Sequence, residues 1–166
     1  SADGRIVAFV SLADNLVAGD TNNQFDVFVH DREANETSRV SVATTGAQAY
    51  GGSDVALSAN GRYVAFSSAS ATLVAGDTNN QSDLFLHDRQ TKQTVRISLG
   101  PGAVQANGAS AFPSLSADGR FVAFQSTATN LAVGDNNNVS DIYLWDRTTG
   151  KTLCASCAGN GNSQTP

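Results

Sequence analysis

Short runs of β-branched and aromatic residues alternate along this chain with longer polar stretches rich in Gly, Asn, Asp and Ser. The stretch from Ser58 to Leu115 displays the pattern best. Ser58 to Gly61 (SANG) carries Asn-Gly turn chemistry. Arg62 to Phe66 (RYVAF) reads as a strand, and Ser67 to Ser82 as a long polar connection. Asp83 to His87 (DLFLH) is a second strand, and Asp88 to Gln93 a hairpin turn. Thr94 to Ser98 is a third strand, Gly100 to Gly108 a Gly-rich loop, and Ala109 to Leu115 a short fourth strand. No stretch has the 3.6-residue apolar period of a helix. The pattern predicts an all-β chain of short antiparallel strands.

The same succession occurs three times. SADGRIVAF begins at Ser1, SANGRYVAF at Ser58 and SADGRFVAF at Ser116. GDTNN begins at Gly19 and Gly76, and GDNNN at Gly134. DVFVHDR, DLFLHDR and DIYLWDR begin at Asp26, Asp83 and Asp141. A period of this length marks supersecondary units that stack and share a core. Four strands per unit fit one propeller blade. A β-solenoid is the competing architecture, with coils usually shorter than this period. The expected units are residues 1–57, 58–115 and an incomplete 116–166.

The ordered landmarks S-x-D-G-R-Φ-V-A-F, D-Φ-Φ-Φ-x-D and T-x-R-Φ-S resemble TolB-type (WD40-like) bacterial β-propeller repeats, and within them a secreted subgroup with an NLVxGDTN insertion. The resemblance spans essentially the whole chain. It implies a propeller segment of three four-stranded antiparallel blades, with the last or first strand incomplete. Three blades do not close a ring. Completion is therefore expected from more chain or from oligomerisation. Two such chains would supply six blades, and a head-to-tail contact that does not close would give a filament.

Composition narrows the partners. Fifteen acidic against ten basic residues give a net charge of −5, with Glu33 and Glu36 the only glutamates. That balance argues against a nucleic-acid footprint, and no apolar run is long enough to span a bilayer. With no Met and Ser at position 1, the chain is expected to be a mature product or part of a longer one. Cys154 and Cys157 form a CASC element outside any βαβ setting. Either a local disulfide or two free thiols is expected, and an oxidising compartment favours the former.

The inserted loop is the one polar cluster that looks like a site. Its alternate positions are Asp20, Asn22, Gln24 and Asp26 in the first copy. They are Asp77, Asn79, Gln81 and Asp83 in the second, and Asp135, Asn137, Val139 and Asp141 in the third. Calcium takes six to eight oxygens from carboxylates, amides and backbone carbonyls. The variable third member of each set would donate its backbone carbonyl. Gly19, Gly76 and Gly134 would let the backbone turn sharply. The EF-hand glycine and terminal Glu are absent, so this is a general Asp/Asn loop. The competing reading is turn chemistry alone: Asx-turns, with the last Asp capping the strand entry.

Other recurring groups read as architecture. Asp31, Asp88 and Asp146, with Arg5, Arg62 and Arg120, suggest a repeated turn or ion pair. His30 and His87 share a position that is Trp145 in the third copy, which fits a packing or surface position better than a metal ligand. No G-x-S-x-G, HExxH or unique Ser/His/Asp set is present, so no catalytic residue is assigned. Asp pairs that recur in every blade are poor glycosidase candidates, because a catalytic pair should be singular. The expectation is a non-catalytic, extracytoplasmic, calcium-stiffened scaffold acting in assembly, adhesion or protein interaction, by self-association or with further blades. The alternative is a glycan-binding module or accessory domain of a secreted hydrolase, with Trp145, Tyr50 and Phe25 as candidate aromatics.

Overall fold

The computed structural model describes residues 1–135, 137 and 139–156. Thirteen strands form, with one 3-10 turn at Pro101–Ala103 and no α-helix among the described residues. The first sheet comprises β1 (Ile6–Ser11), β2 (Asp26–Asp31) and β3 (Glu36–Arg39). The second comprises β4 (Val55–Leu57), β5 (Tyr63–Ser68), β6 (Asp83–Asp88) and β7 (Gln93–Arg96). A two-stranded ribbon of β8 (Leu99–Gly100) and β9 (Val104–Gln105) follows. The third sheet comprises β10 (Ser110–Leu115), β11 (Phe121–Ser126), β12 (Asp141–Asp146) and β13 (Lys151–Cys154). All pairings are antiparallel and follow chain order.

Sheets and sequence repeats are out of phase by one strand. Residues 110–115 end the second repeat in the sequence, yet they open the third sheet by pairing with β11. The SADGR turn is the reason. It is a hairpin, so the strand before it must pair with the strand after it. The Ser116 hydroxyl donates to Asp118 Oδ1 at 2.6 Å and accepts from the Phe121 N–H at 2.9 Å. Ser58, Asn60 and Tyr63 repeat this brace one sheet earlier. Gly119 and Gly61 sit at φ +67 and +71 within these turns. A Cβ at Gly119 would run into the Tyr63 ring, so the turn also fits closely against the preceding sheet.

The core lies between sheets, not within one. Strand side chains alternate between faces, and β5 uses both. Val64 and Phe66 join Ile6, Val27, Val29 and Phe85 against the first sheet. Tyr63 and Ala65 join Leu86, Val122, Phe124, Tyr143 and Trp145 against the third. Every residue of β5 is therefore buried, whereas β11 alternates. The outward faces of the flanking sheets leave Val7, Ile142 and Leu153 at 44%, 44% and 53% exposure. Each sheet also carries one directly paired ring stack: Phe9 on Phe28, Phe66 on Phe85, and Phe124 on Tyr143, with centroids 5.7–5.9 Å apart.

Candidate functional site

The inserted loop connects the first two long strands of each repeat and delivers its last aspartate onto β2, β6 or β12. Gly19, Gly76 and Gly134 turn the loop at φ +77, +74 and +88. The asparagine two residues after the first Asp then closes an Asx-turn. Its carbonyl accepts the backbone N–H of Gln24, Gln81 or Val139 at 2.9, 3.1 and 3.1 Å. Its amide donates to the last aspartate: Asn22 to Asp26, Asn79 to Asp83 and Asn137 to Asp141, at 2.9, 2.9 and 3.0 Å.

The second oxygen of each last aspartate is held by a serine from the T-x-R-Φ-S motif. Ser41, Ser98 and Ser156 donate to Asp26, Asp83 and Asp141 at 2.5 Å. The same hydroxyls accept the backbone N–H of Val27, Leu84 and Ile142. A relay of Asn, Asp, Ser and backbone thus ties each loop to its third strand. The three aspartates are at most 1% exposed. A carboxylate so buried must be hydrogen-bonded, and these are. Burial pushes the Asp83 carboxyl up, against the pull of Ser98, Asn79 and Arg96.

The arginine of the same motif enters the first two sites. Arg39 Nη1 lies 3.2 Å from Asp20 and 3.9 Å from Asp26. Arg96 Nη1 lies 3.0 Å from Asp77 and 3.5 Å from Asp83. Arg39 makes a charge contact, because its Nη1 has no aligned hydrogen bond. Gln48 and Gln105 add a tether from the following segment, to Asp20 Oδ1 at 2.9 Å and to the Gly76 carbonyl at 2.8 Å. In both loops a guanidinium therefore lies between the two aspartates that the sequence reading assigned to calcium.

The third loop is built differently. The register that pairs Phe28 with Arg39 and Phe85 with Arg96 pairs Tyr143 with Cys154. Cys154 is disulfide-bonded and brings no positive charge; Cys157 lies outside the described residues. Tyr143 stands where the other sheets have Phe, and its hydroxyl donates to Asp135 Oδ2. Burial and this carboxylate raise the phenol well above its ordinary range. Asp135 Oδ1 is buried with no hydrogen-bond partner.

The other recurring charges fall where an architectural reading puts them. Arg5, Arg62 and Arg120 fork onto Asp31, Asp88 and Asp146 at 2.6–2.9 Å. The Arg62 hydrogen bonds hold Asp88 down at about 2, and Arg120 holds Asp146 at about 2. His87 is 2% exposed and touches Thr94 Oγ1 at 2.9 Å. The Thr94 hydroxyl proton is committed to the Val42 carbonyl at 2.5 Å, so His87 Nδ1 must be the donor. Burial, with Lys92 nearby, lowers His87 to about 4. Of the candidate ligand-binding aromatics, Trp145 is 7% and Phe25 49% exposed, and Tyr50 is half-buried. Trp145 lines a cleft of about 380 Å³ between the second and third sheets, with Arg62, Tyr63, Gln93 and Arg147.

The sequence reading placed Asp, Asn and Gln in the site but missed the arginines, the serines and Tyr143. The signal was present: Arg39 and Arg96 hold one repeat position, and Cys154 replaces them in the third copy. Phe112 was also missed. It sits at φ +55 in a bulge of β10, 65% exposed, and no local sequence rule predicts an aromatic there.

Solved structures with this arrangement exist. A TolB-like protein from Agrobacterium tumefaciens matches with a TM-score of 0.57 at 18% identity, over 93% of this chain and 46% of that one. TolB from Acinetobacter baumannii matches with a TM-score of 0.54 at 17% identity, over 96% and 34%. The β-propeller domain of the Trilobed protease from Pyrococcus furiosus matches with a TM-score of 0.56 at 14% identity, over 90% and 39%. The chain spans less than half the length of each. No family model and no curated protein sequence matches it. Fold and topology together define the chain as a β-propeller segment with unclosed sheets.

Proposed function

We propose that this chain is a non-catalytic, extracytoplasmic propeller scaffold that acts through assembly with further blades. The observation that carries this reading is the pair of outward sheet faces. Val7 on one side and Ile142 on the other are exposed, while their counterparts in the middle sheet, Val64 and Leu84, are buried by neighbours. A blade face of this kind is half of a sheet-on-sheet interface. Recurrence supports a structural role for the polar groups: each acidic pair or fork is used, blade after blade, to fasten a loop or turn. The disulfide at Cys154 suits an oxidising compartment. No helix among the described residues is long and apolar enough to cross a membrane. Calcium belongs to this reading as a stiffener of the inserted loops, whose donors are all oxygens.

The test is the mass of the native particle by light scattering, with calcium and after chelation. A two-chain particle supports a six-bladed ring, and long particles support a polymer. A lone monomer indifferent to calcium overturns the scaffold reading. A second reading, a ligand module, is favoured by the cleft beside Trp145. Glycan binding that is lost in Gln93→Ala, a substitution outside the core, would establish it over the scaffold.

A further inference from the structure

We propose that the cleft between the second and third sheets binds a small carboxylate with an apolar body, its carboxylate on Arg147 and its body against Val95 and Leu99. The inference rests on the reading of this cleft as a ligand site and names the ligand's chemistry, which is that of an amphipathic acid and not of a neutral sugar.

Arg147 is the cation that the fold leaves uncommitted. Arg32, Arg89 and Arg147 follow the last aspartate of β2, β6 and β12 and donate to the Gly4, Gly61 and Gly119 carbonyls at 3.0, 2.6 and 3.0 Å. Arg32 and Arg89 spend a terminal nitrogen on this bond, whereas Arg147 spends Nε and keeps both terminal nitrogens. No carboxylate lies within ion-pair distance of Arg147 among the described residues. Its guanidinium carbon stands 4.4 Å from the centre of the Tyr63 ring, and that of Arg62 stands 4.8 Å from it. The Asp88 fork balances Arg62, whereas Arg147 is met by the ring face. A guanidinium fixed between a ring and a carbonyl is pre-organised, and its free edge matches the two oxygens of a carboxylate.

That cation lines the cleft of about 380 Å³, a size within the range of small-molecule sites. Leu86, Val95 and Leu99 give it an aliphatic wall, and Val95 is 43% exposed. Asp88 also lines the cleft, but Arg62 takes both of its oxygens. Tyr63 and Trp145 are 5% and 7% exposed, and the Tyr63 ring carries the two guanidiniums. A neutral sugar needs an open ring face to stack on, and these rings are covered. An amphipathic acid needs an apolar wall beside an unpaired cation, and both are present. The junction of the first and second sheets differs. By repeat position it has Ile6 for Tyr63, Glu36 for Gln93, Ser38 for Val95 and His87 for Trp145. An acid and a hydroxyl there replace an amide and an isopropyl group, which disfavours an apolar anion. One site per chain follows.

Trp145 is the chain's only tryptophan, so its fluorescence reports on the cleft directly. Titration of the intact chain with phenylpropionate should change the emission and saturate, with a dissociation constant on the order of 10⁻³ M for a probe of about eleven non-hydrogen atoms. The neutral isostere phenylpropionamide should bind about 10-fold more weakly, because it forgoes the charge-assisted bonds to Arg147. Arg147→Gln should weaken the acid by about 10-fold and leave the amide unchanged. Arg32→Gln should leave both unchanged. Equal affinity for acid and amide, or acid binding indifferent to Arg147→Gln, would overturn the inference. Saturable binding of galactose in place of the acid would overturn it while keeping the cleft a ligand site. No response to any of the three probes at tens of millimolar would overturn both. The comparison of acid with amide is read on the unmutated chain, so the test survives a variant that fails to fold.

Discussion

His87 is the residue at which the chain is most sensitive to mild acid. Its ring is buried, its Nδ1 proton is already used on Thr94, and burial lowers it from 6.5 to about 4. The unfolded chain takes up the proton near its ordinary value, whereas the folded chain resists until about 4. His87 therefore contributes stability that is complete above about pH 6.5 and declines as pH falls from there towards 4. The decline amounts to at most about 3 kcal/mol. Denaturant melts from pH 7 to pH 4 should show it, and His87→Gln should flatten the profile over that window. An unchanged slope in the variant would mean that another group carries the effect. The sequence showed only that the position suits packing or surface better than a metal ligand, since Trp145 replaces His there. Its burial was not, because that depends on the segment around Val42 and Thr44 folding across β7.

Within one blade, the inserted loop is held by long-range groups. Thirteen residues separate Arg96 from Asp83, and nineteen separate it from Asp77, yet all three meet at one point. Removing one partner of a buried ionic group leaves an uncompensated charge, at a cost of about 3–5 kcal/mol. Arg96→Gln should thus destabilise the chain by about that amount in denaturant melts, and adding Asp77→Asn should recover part of the loss. A near-neutral Arg96→Gln would show that the arginine is dispensable to the loop. The loop's acids and amides were readable from GDTNN and its spacing, because Asx-turn chemistry is local. The arginine and serine were visible only as the separate T-x-R-Φ-S motif. Nothing in a linear spacing says that two motifs on neighbouring strands share a carboxylate.

For the whole molecule, the proposed scaffold role rests on the faces that remain open. A three-sheet stack buries the middle sheet on both sides and the flanking sheets on one. Exposed apolar faces of this kind drive association, and whether it closes into a ring or runs on depends on the rotation between copies. Leu153 faces outward beside its register partner Leu144, with Ile142 on the same strand and face. The double substitution Ile142→Ser and Leu153→Ser should therefore shift the light-scattering mass toward a single chain while the far-ultraviolet spectrum stays β-rich. An assembled particle that tolerates both changes would place the contact elsewhere.

The sequence by itself determined the all-β class, the three-fold repeat, the turns and the long strands, but not the β8–β9 ribbon, which forms where a Gly-rich loop was expected. Each follows from local rules: Asn-Gly and Asp-Gly turn chemistry, β-branched runs, and a landmark that returns every 57 or 58 residues. Tertiary structure decided which strand belongs to which sheet, because pairing across the SADGR hairpin overrides the apparent repeat boundary. It also decided what stands between the paired aspartates. An arginine does so in two blades, and in the third a tyrosine takes one oxygen and leaves the other unpartnered. That difference arises from contacts across strands, where the energy of a buried charge is set by neighbours far away in the chain.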